Sequence, residues 1–254
     1  MDRDVVVMVR QGREYEELRY ALRSLVNVPH SRVWVYGGRP EWLTGATHVP
    51  VQQGPVQHAN TARITQAIAG NRALSDEWYW WHDDMYVLAR MDVIPRLYRA
   101  TWTDWAAAAP GRKGPHGPAK TTATAEALAA FGKVPEYSYE LHVPMVVERA
   151  VFADMVTAVT TWRPEALIHV QKRSLYGNWA SYGGRRADDV KFRIDGHLGG
   201  GWQYASSPST ALTGPAGEQI RAMFPDPSPY ELPRPAVVPD TIRLMAGHLA
   251  GRTG

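Results

Sequence analysis

The segment Glu77-Trp78-Tyr79-Trp80-Trp81-His82-Asp83-Asp84-Met85-Tyr86-Val87-Leu88 sets two adjacent carboxylates inside an otherwise apolar run. Trp78 to Trp81 are strong strand formers bounded by polar residues, which predicts a short buried strand with Asp83 and Asp84 at its C-terminal end. Ligands bind at that edge of an open α/β sheet, and paired carboxylates there suit Mg²⁺ or Mn²⁺ holding a diphosphate. The alternative is a turn between two strands, with solvated acids. Lys172 beside Arg173 offers cations for phosphate oxygens, to which the planar arginine fork is suited, or else a surface ion pair. Arg19 and Arg23 stand four apart and share a helix face, either as a phosphate clamp or as a solvated basic face. Arg112, Lys113 and Lys120 fall among prolines and glycines over residues 106–120, which predicts an exposed, mobile loop that is a lid over an anionic ligand or a surface excursion. A second acid pair, Asp188-Asp189, reads as a helix start rather than a metal site.

These residues need elements to position them. Residues 4–9 are a β-branched run, the pattern of a strand buried on both faces in a parallel sheet. Over residues 14–26, Leu18, Ala21, Leu22 and Leu25 recur at helical spacing, with Glu14, Glu16 and Glu17 in the first turn where the helix dipole favours acids. Residues 32–36 form a second strand closed by Gly37-Gly38, which completes a βαβ unit. A brief strand over 47–51 follows, then a helix capped by Asn60 or Thr61 and ending at Ala69, whose first amides can face an anion. After the aromatic strand, a helix over 91–102 is interrupted early by Pro95. Later helices fall at 121–131, 148–159 and 215–224, with strands at 137–141 and after Gly199-Gly200-Gly201. The reading is one α/β domain over residues 1–231 with helical additions, then a proline-rich linker and a terminal helix over 232–254.

Composition narrows the chemistry. The chain of 254 residues is 44% hydrophobic, enough for a real core. It has no cysteine, so disulfides and thiolate metal sites are excluded and any metal must use oxygen or imidazole. A formal charge of +3 fits an anionic substrate without demonstrating nucleic-acid binding. The charged start Met1-Asp2-Arg3-Asp4 and the lack of an apolar run of membrane-spanning length lead us to expect a soluble, cytoplasmic protein.

In order, Asp4-Val5-Val6, Glu17-Leu18-Arg19-Tyr20-Ala21-Leu22-Arg23-Ser24-Leu25, Pro40-Glu41-Trp42-Leu43 and Asp83-Asp84-Met85 resemble the Stealth family of sugar-phosphate transferases. His142-Val143-Pro144-Met145 with the helix from Glu148 is similar to that family's third region, and Phe224-Pro225-Asp226-Pro227-Ser228-Pro229-Tyr230-Glu231 to its closing one. Family members move a sugar-1-phosphate from a nucleotide sugar to an acceptor hydroxyl. The resemblance implies a GT-A-like fold, a Rossmann-type, mostly parallel sheet flanked by helices. It implies Mg²⁺ or Mn²⁺, a nucleotide-sugar donor and a hydroxyl-bearing acceptor, whether polysaccharide, protein or nucleic acid. It places Asp83 and Asp84 at the metal and diphosphate, with Asp84 also among the catalytic groups. His142 falls in the acid/base position, Arg173 and Lys172 fall against phosphate, and Asn60, Arg19 and His82 fall at the donor. Two departures stand out: Val9-Arg10-Gln11-Gly12 replaces an acidic, tryptophan-containing segment, and His82 replaces an asparagine. Two other readings fit the same features. One is a GT-A glycosyltransferase moving the sugar alone onto a polymer, lipid, protein or modified nucleic acid; the other is a binding module that keeps the fold without activity.

Overall fold

Val5, Val6, Val7 and Val9 are almost wholly shielded from water because the strand they build, β1 (Asp4–Val9), lies in the middle of a sheet covered on both faces. In this computed structural model, which describes residues 3–12, 15–193, 195–208 and 212–233, β1 pairs in parallel with β2 (Val33–Gly37) on one side and β4 (Glu77–His82) on the other. β3 (Thr47–Val49) extends the sheet in parallel beyond β2, and the strand Met145–Glu148 closes it antiparallel to β4. The fold is thus mixed α/β with a mostly parallel central sheet flanked by helices. From residue 234 on, the expected linker and terminal helix lie outside the described residues.

The helix after β1, α1 (Glu16–Arg23), is shorter than its periodicity suggests and tightens into a 3₁₀ turn over Ser24–Asn27. At the end of β2, Gly37 has φ +106°, and a Cβ there would stand 2.3 Å from the Val9 carbonyl oxygen, so this return between strand ends admits only glycine. The helix α2 (Gln57–Ala69) begins three residues before Asn60, which is therefore inside it rather than its cap.

In β4 the alternation of a strand decides what each aromatic ring does. Trp78 and Trp80 meet Phe152 of the helix Arg149–Trp162 edge-on at 5.2 and 5.3 Å. Trp81, on the opposite face, donates its ring N–H to the Met85 carbonyl at 2.9 Å and pins the turn that holds Asp83 and Asp84. The next strand, β5 (Met85–Val87), pairs with Tyr204–Ser206 and not with β4, so the acid pair links two sheets instead of forming a hairpin.

One segment departs from expectation, and a second carries local structure of its own. Residues 91–102 are not a helix: Leu97–Tyr98 pairs with Arg185–Arg186, and Ala100–Thr101 with Tyr137–Ser138. Pro95 donates no N–H and disfavours helical geometry at Ile94 before it, which leaves the segment to those distant partners. Residues 106–120 carry 3₁₀ turns at Ala109–Gly111 and Gly114–His116 and run into the helix Pro118–Ala129. Arg112 stacks 3.6 Å from the Trp105 ring centroid and donates to the His116 carbonyl at 3.0 Å, which organises the segment around one indole.

The helix Lys172–Trp179 sits against residues 136–139 with no room to spare. A Cβ on Gly177 would stand 2.2 Å from the Tyr139 ring, and the Asn178 amide both accepts from Glu136 and Tyr137 N–H and donates to the Tyr137 carbonyl. Among the described residues no helix is long and apolar enough to cross a membrane.

Candidate active site

The C-terminal ends of β1 and β4 open onto a cleft, as the crevice rule for parallel sheets requires. His82 ends β4 and lies between two adjoining cavities. The first, about 290 Å³, is lined by Lys120, Lys172, Arg173 and Lys191, by imidazoles including His116 and His142, and by Asp84 and Glu140. The second, about 130 Å³, takes Arg10, Gln53, Asn60 and Asp83.

His142 is held at two points by one carboxylate. Its backbone N–H donates to Asp189 Oδ1 at 3.1 Å, and its Nδ1 stands 2.9 Å from Oδ1 and 3.0 Å from Oδ2. An ionised carboxylate only accepts, so Nδ1 carries the donated proton and Nε2 is left as a base. Burial works to raise the Asp189 carboxyl, but His142 and the Arg99 guanidinium, 3.0 Å away, hold it down at about 2.

Two of the four cations, Lys172 and Arg173, come from the start of the helix Lys172–Trp179. Arg173 is fixed by donating Nε to the Tyr139 carbonyl at 3.2 Å and Nη2 to the Val143 carbonyl at 2.6 Å, while its buried Nη1 has no partner. Burial lowers the Lys172 ammonium to about 7, and the charge of Lys120 pushes the same way. Lys120 reaches in from the helix Pro118–Ala129, anchored on the Ile168 carbonyl at 2.7 Å.

Asp84 Oδ2 accepts from Ser206 Oγ at 3.2 Å and faces Lys191 Nζ at 3.3 Å, while its buried Oδ1 has no partner. Burial works against its charge, but Lys191, His82 and His142 hold its pKa below the ordinary carboxylate value. Burial also takes the His82 imidazole down to about 4, so it is neutral at physiological pH, with a buried Nε2 that makes no hydrogen bond. Glu140 has its Oε1 committed to the N–H and hydroxyl of Ser174 at 3.1 and 2.9 Å.

The residues do not fit a resident divalent metal. Asp84 lines the larger cavity and Asp83 the smaller one, with His82 on both. Among the described residues no group of three or more His, Asp or Glu side chains is placed to hold a metal ion.

No protein-family model matches the chain, and no curated protein sequence does. Among solved structures it is similar to the crystal structure of an active-site mutant of LgtC, at 11% identity and a TM-score of 0.48, covering 94% of this chain and 99% of that one. It is also similar to the crystal structure of the galactosyltransferase LgtC in complex with donor and acceptor sugar analogues, at 10% identity and a TM-score of 0.47, with the same coverage.

Of the residues singled out in the sequence, the cleft gathers His82, Asp84, His142, Lys172 and Arg173. Asn60 reaches the smaller cavity beside Asp83, with its amide bonded to the N–H and carbonyl of Gly54 at 2.7 Å each. Arg19 lines neither cavity: it is bound to Glu231 at 2.6 Å and stacked 4.3 Å over Trp42. Arg23, its neighbour one turn on, donates Nε and Nη2 to Glu231 at 2.7 and 2.8 Å, so the suspected clamp is structural. The basic trio of residues 106–120 separates, Lys120 lining the cleft while Arg112 packs on Trp105. Asp189, assigned in the sequence to a helix start, lies in extended chain and orients His142. His116, Glu140 and Lys191 carried no local signal. Each lies far along the chain from the motifs it joins, and a His-x₄₆-Asp pairing such as His142 with Asp189 has no periodicity to read.

Proposed function

We propose that the chain is a nucleotide-sugar-dependent transferase that carries a sugar-1-phosphate from its donor to an acceptor hydroxyl. The observation that carries this reading is the His142-Asp189 pair on a cleft that also presents Lys120, Lys172, Arg173 and Lys191. Phosphoryl transfer needs little covalent help from protein; it needs positioned cations where charge spreads over phosphate oxygens, and a base for the attacking hydroxyl.

In the proposed step the acceptor oxygen attacks the phosphorus that bears the sugar, and its proton passes to His142 Nε2. The bond from that phosphorus to the oxygen bridging the two phosphates breaks, and nucleoside monophosphate leaves with the electron pair. Asp189 steadies the imidazolium as it forms. Arg173 Nη1, with Lys172 and Lys120, meets the phosphate oxygens. The order of Stealth-like motifs, with His142 and Arg173 at matching positions, supports attack at phosphorus over attack at the anomeric carbon.

The leaving nucleotide tests this. Incubating the protein with a panel of nucleotide sugars and a hydroxyl acceptor should release nucleoside monophosphate. Release of nucleoside diphosphate would replace the reading with transfer of the sugar alone, for which the same base would serve attack at carbon. Donor binding without any release would make the chain a binding module.

A further inference from the structure

We infer that the donor's diphosphate is neutralised in this cleft by four side-chain cations, Lys120, Lys172, Arg173 and Lys191, in place of a divalent metal ion. The inference rests on the donor reading above and concerns how the same cleft holds its ligand.

The carboxylates that would hold a metal are committed elsewhere. Asp84 Oδ2 faces the Lys191 ammonium and takes the Ser206 hydroxyl. Glu140 Oε1 is spent on the first turn of the helix Lys172–Trp179 through Ser174. Asp189 is shared between His142 and Arg99. Asp83 lines the other cavity. Asp84 therefore serves this cleft by holding a lysine at its wall, so that a fixed ammonium stands where the acid pair alone would suggest an ion.

The cations are in the opposite condition. Lys172 and Arg173 are more than nine-tenths buried, and among the described residues neither has a carboxylate in ion-pair contact. Arg173 Nη1 makes no hydrogen bond at all. Burial without an ion-pair partner is unfavourable for a cationic group, so two such groups side by side fit a ligand that brings negative charge on arrival. A diphosphate does so and supplies acceptors for the guanidinium fork and for three ammonium groups at once. A divalent ion placed among the same groups would meet four cationic side chains with two carboxylate oxygens to offset them, Asp84 Oδ1 and Glu140 Oε2, the latter 3.9 Å from His116 Nδ1.

Inorganic pyrophosphate, titrated into the full chain and followed by calorimetry, tests the inference. Binding is expected in excess EDTA and is not strengthened by Mg²⁺ or Mn²⁺. Lys120→Ala and Lys191→Ala, both at partly exposed positions where folding is safe, should each weaken binding in EDTA by about tenfold or more, the loss of one charge-assisted hydrogen bond. Circular dichroism on the same samples establishes that they are folded. Binding that vanishes in EDTA and returns with metal overturns the inference and leaves the donor cleft standing, as does wild-type affinity in both lysine variants. Absence of pyrophosphate binding with and without metal overturns the inference together with the reading it rests on.

Discussion

An ammonium group nine-tenths buried with no carboxylate against it works against folding, and Lys172 is such a group. Its pKa of about 7 in the folded chain lies well below the value it takes when unfolded. Between pH 7 and 10 the unfolded chain therefore holds a proton that the folded chain has released, so this residue makes stability rise with pH over that window. Denaturant midpoints of the wild type should climb relative to those of Lys172→Met from pH 7 to 10, with the methionine variant the more stable at pH 6. A difference that is flat with pH would mean that Lys172 titrates normally. With His142 as the base proposed above, His142→Ala should lower turnover by about 10²–10⁴-fold with donor affinity little changed. Asp189→Asn should do much the same, since an amide no longer holds the imidazole in the tautomer that leaves Nε2 free. Turnover and donor dissociation measured on one folded sample separate this from a structural role, which would cost stability and spare turnover. The place of His142 on the cleft agrees with the motif that singled it out in the sequence. The places of Asp189, His116 and Lys191 were not legible there, because what brings them to the cleft is a contact across tens of residues, and no spacing rule describes such a contact.

Elements were legible where one periodicity ruled. β1, β2, β4 and α1 are each governed by their own burial pattern, and all four form close to where that pattern places them. The segment 91–102 was not, because Leu97–Tyr98 and Ala100–Thr101 take their structure from partners far along the chain. The acid pair was legible as the end of a strand, yet neighbours in a turn point to different sides, which the sequence does not state. The helix Lys172–Trp179 shows how much of the site depends on packing. Gly177 lies against the Tyr139 ring, and the same helix carries Lys172 and Arg173 at its start. Gly177→Ala favours the helix intrinsically but forces a methyl into that ring, and overpacking of this kind costs about 1–3 kcal/mol. Chemical denaturation should show that net loss, and pyrophosphate affinity should fall with it as the helix start shifts. A stabilised variant would mean that Tyr139 yields freely.

At the scale of the whole molecule, one carboxylate joins the early helix to residue 231. Glu231 meets Arg19 and Arg23 in a nearly dry site, and Arg23 also donates to the Phe224 and Pro225 carbonyls at 3.0 Å. Burial opposes its charge, yet the arginines and the Ser228 N–H hold Glu231 at about 2. Its contribution to stability is thus present above the ordinary carboxylate range and is lost as pH falls toward 2. Glu231→Ala should cost about 3 kcal/mol or more, because it strands buried guanidinium charge. Equilibrium unfolding checks this, and a loss under about 1 kcal/mol would mean that water reaches Arg23 in the variant.

The same clasp sets an order of events during synthesis. Glu231 follows Arg23 by 208 positions, which a ribosome working at about 5–20 residues per second takes roughly 10–40 s to cover. Throughout that interval Arg23 lacks the carboxylate it finally meets, so α1 takes its final seat only once Glu231 has been made. The first βαβ unit is made early and completed late.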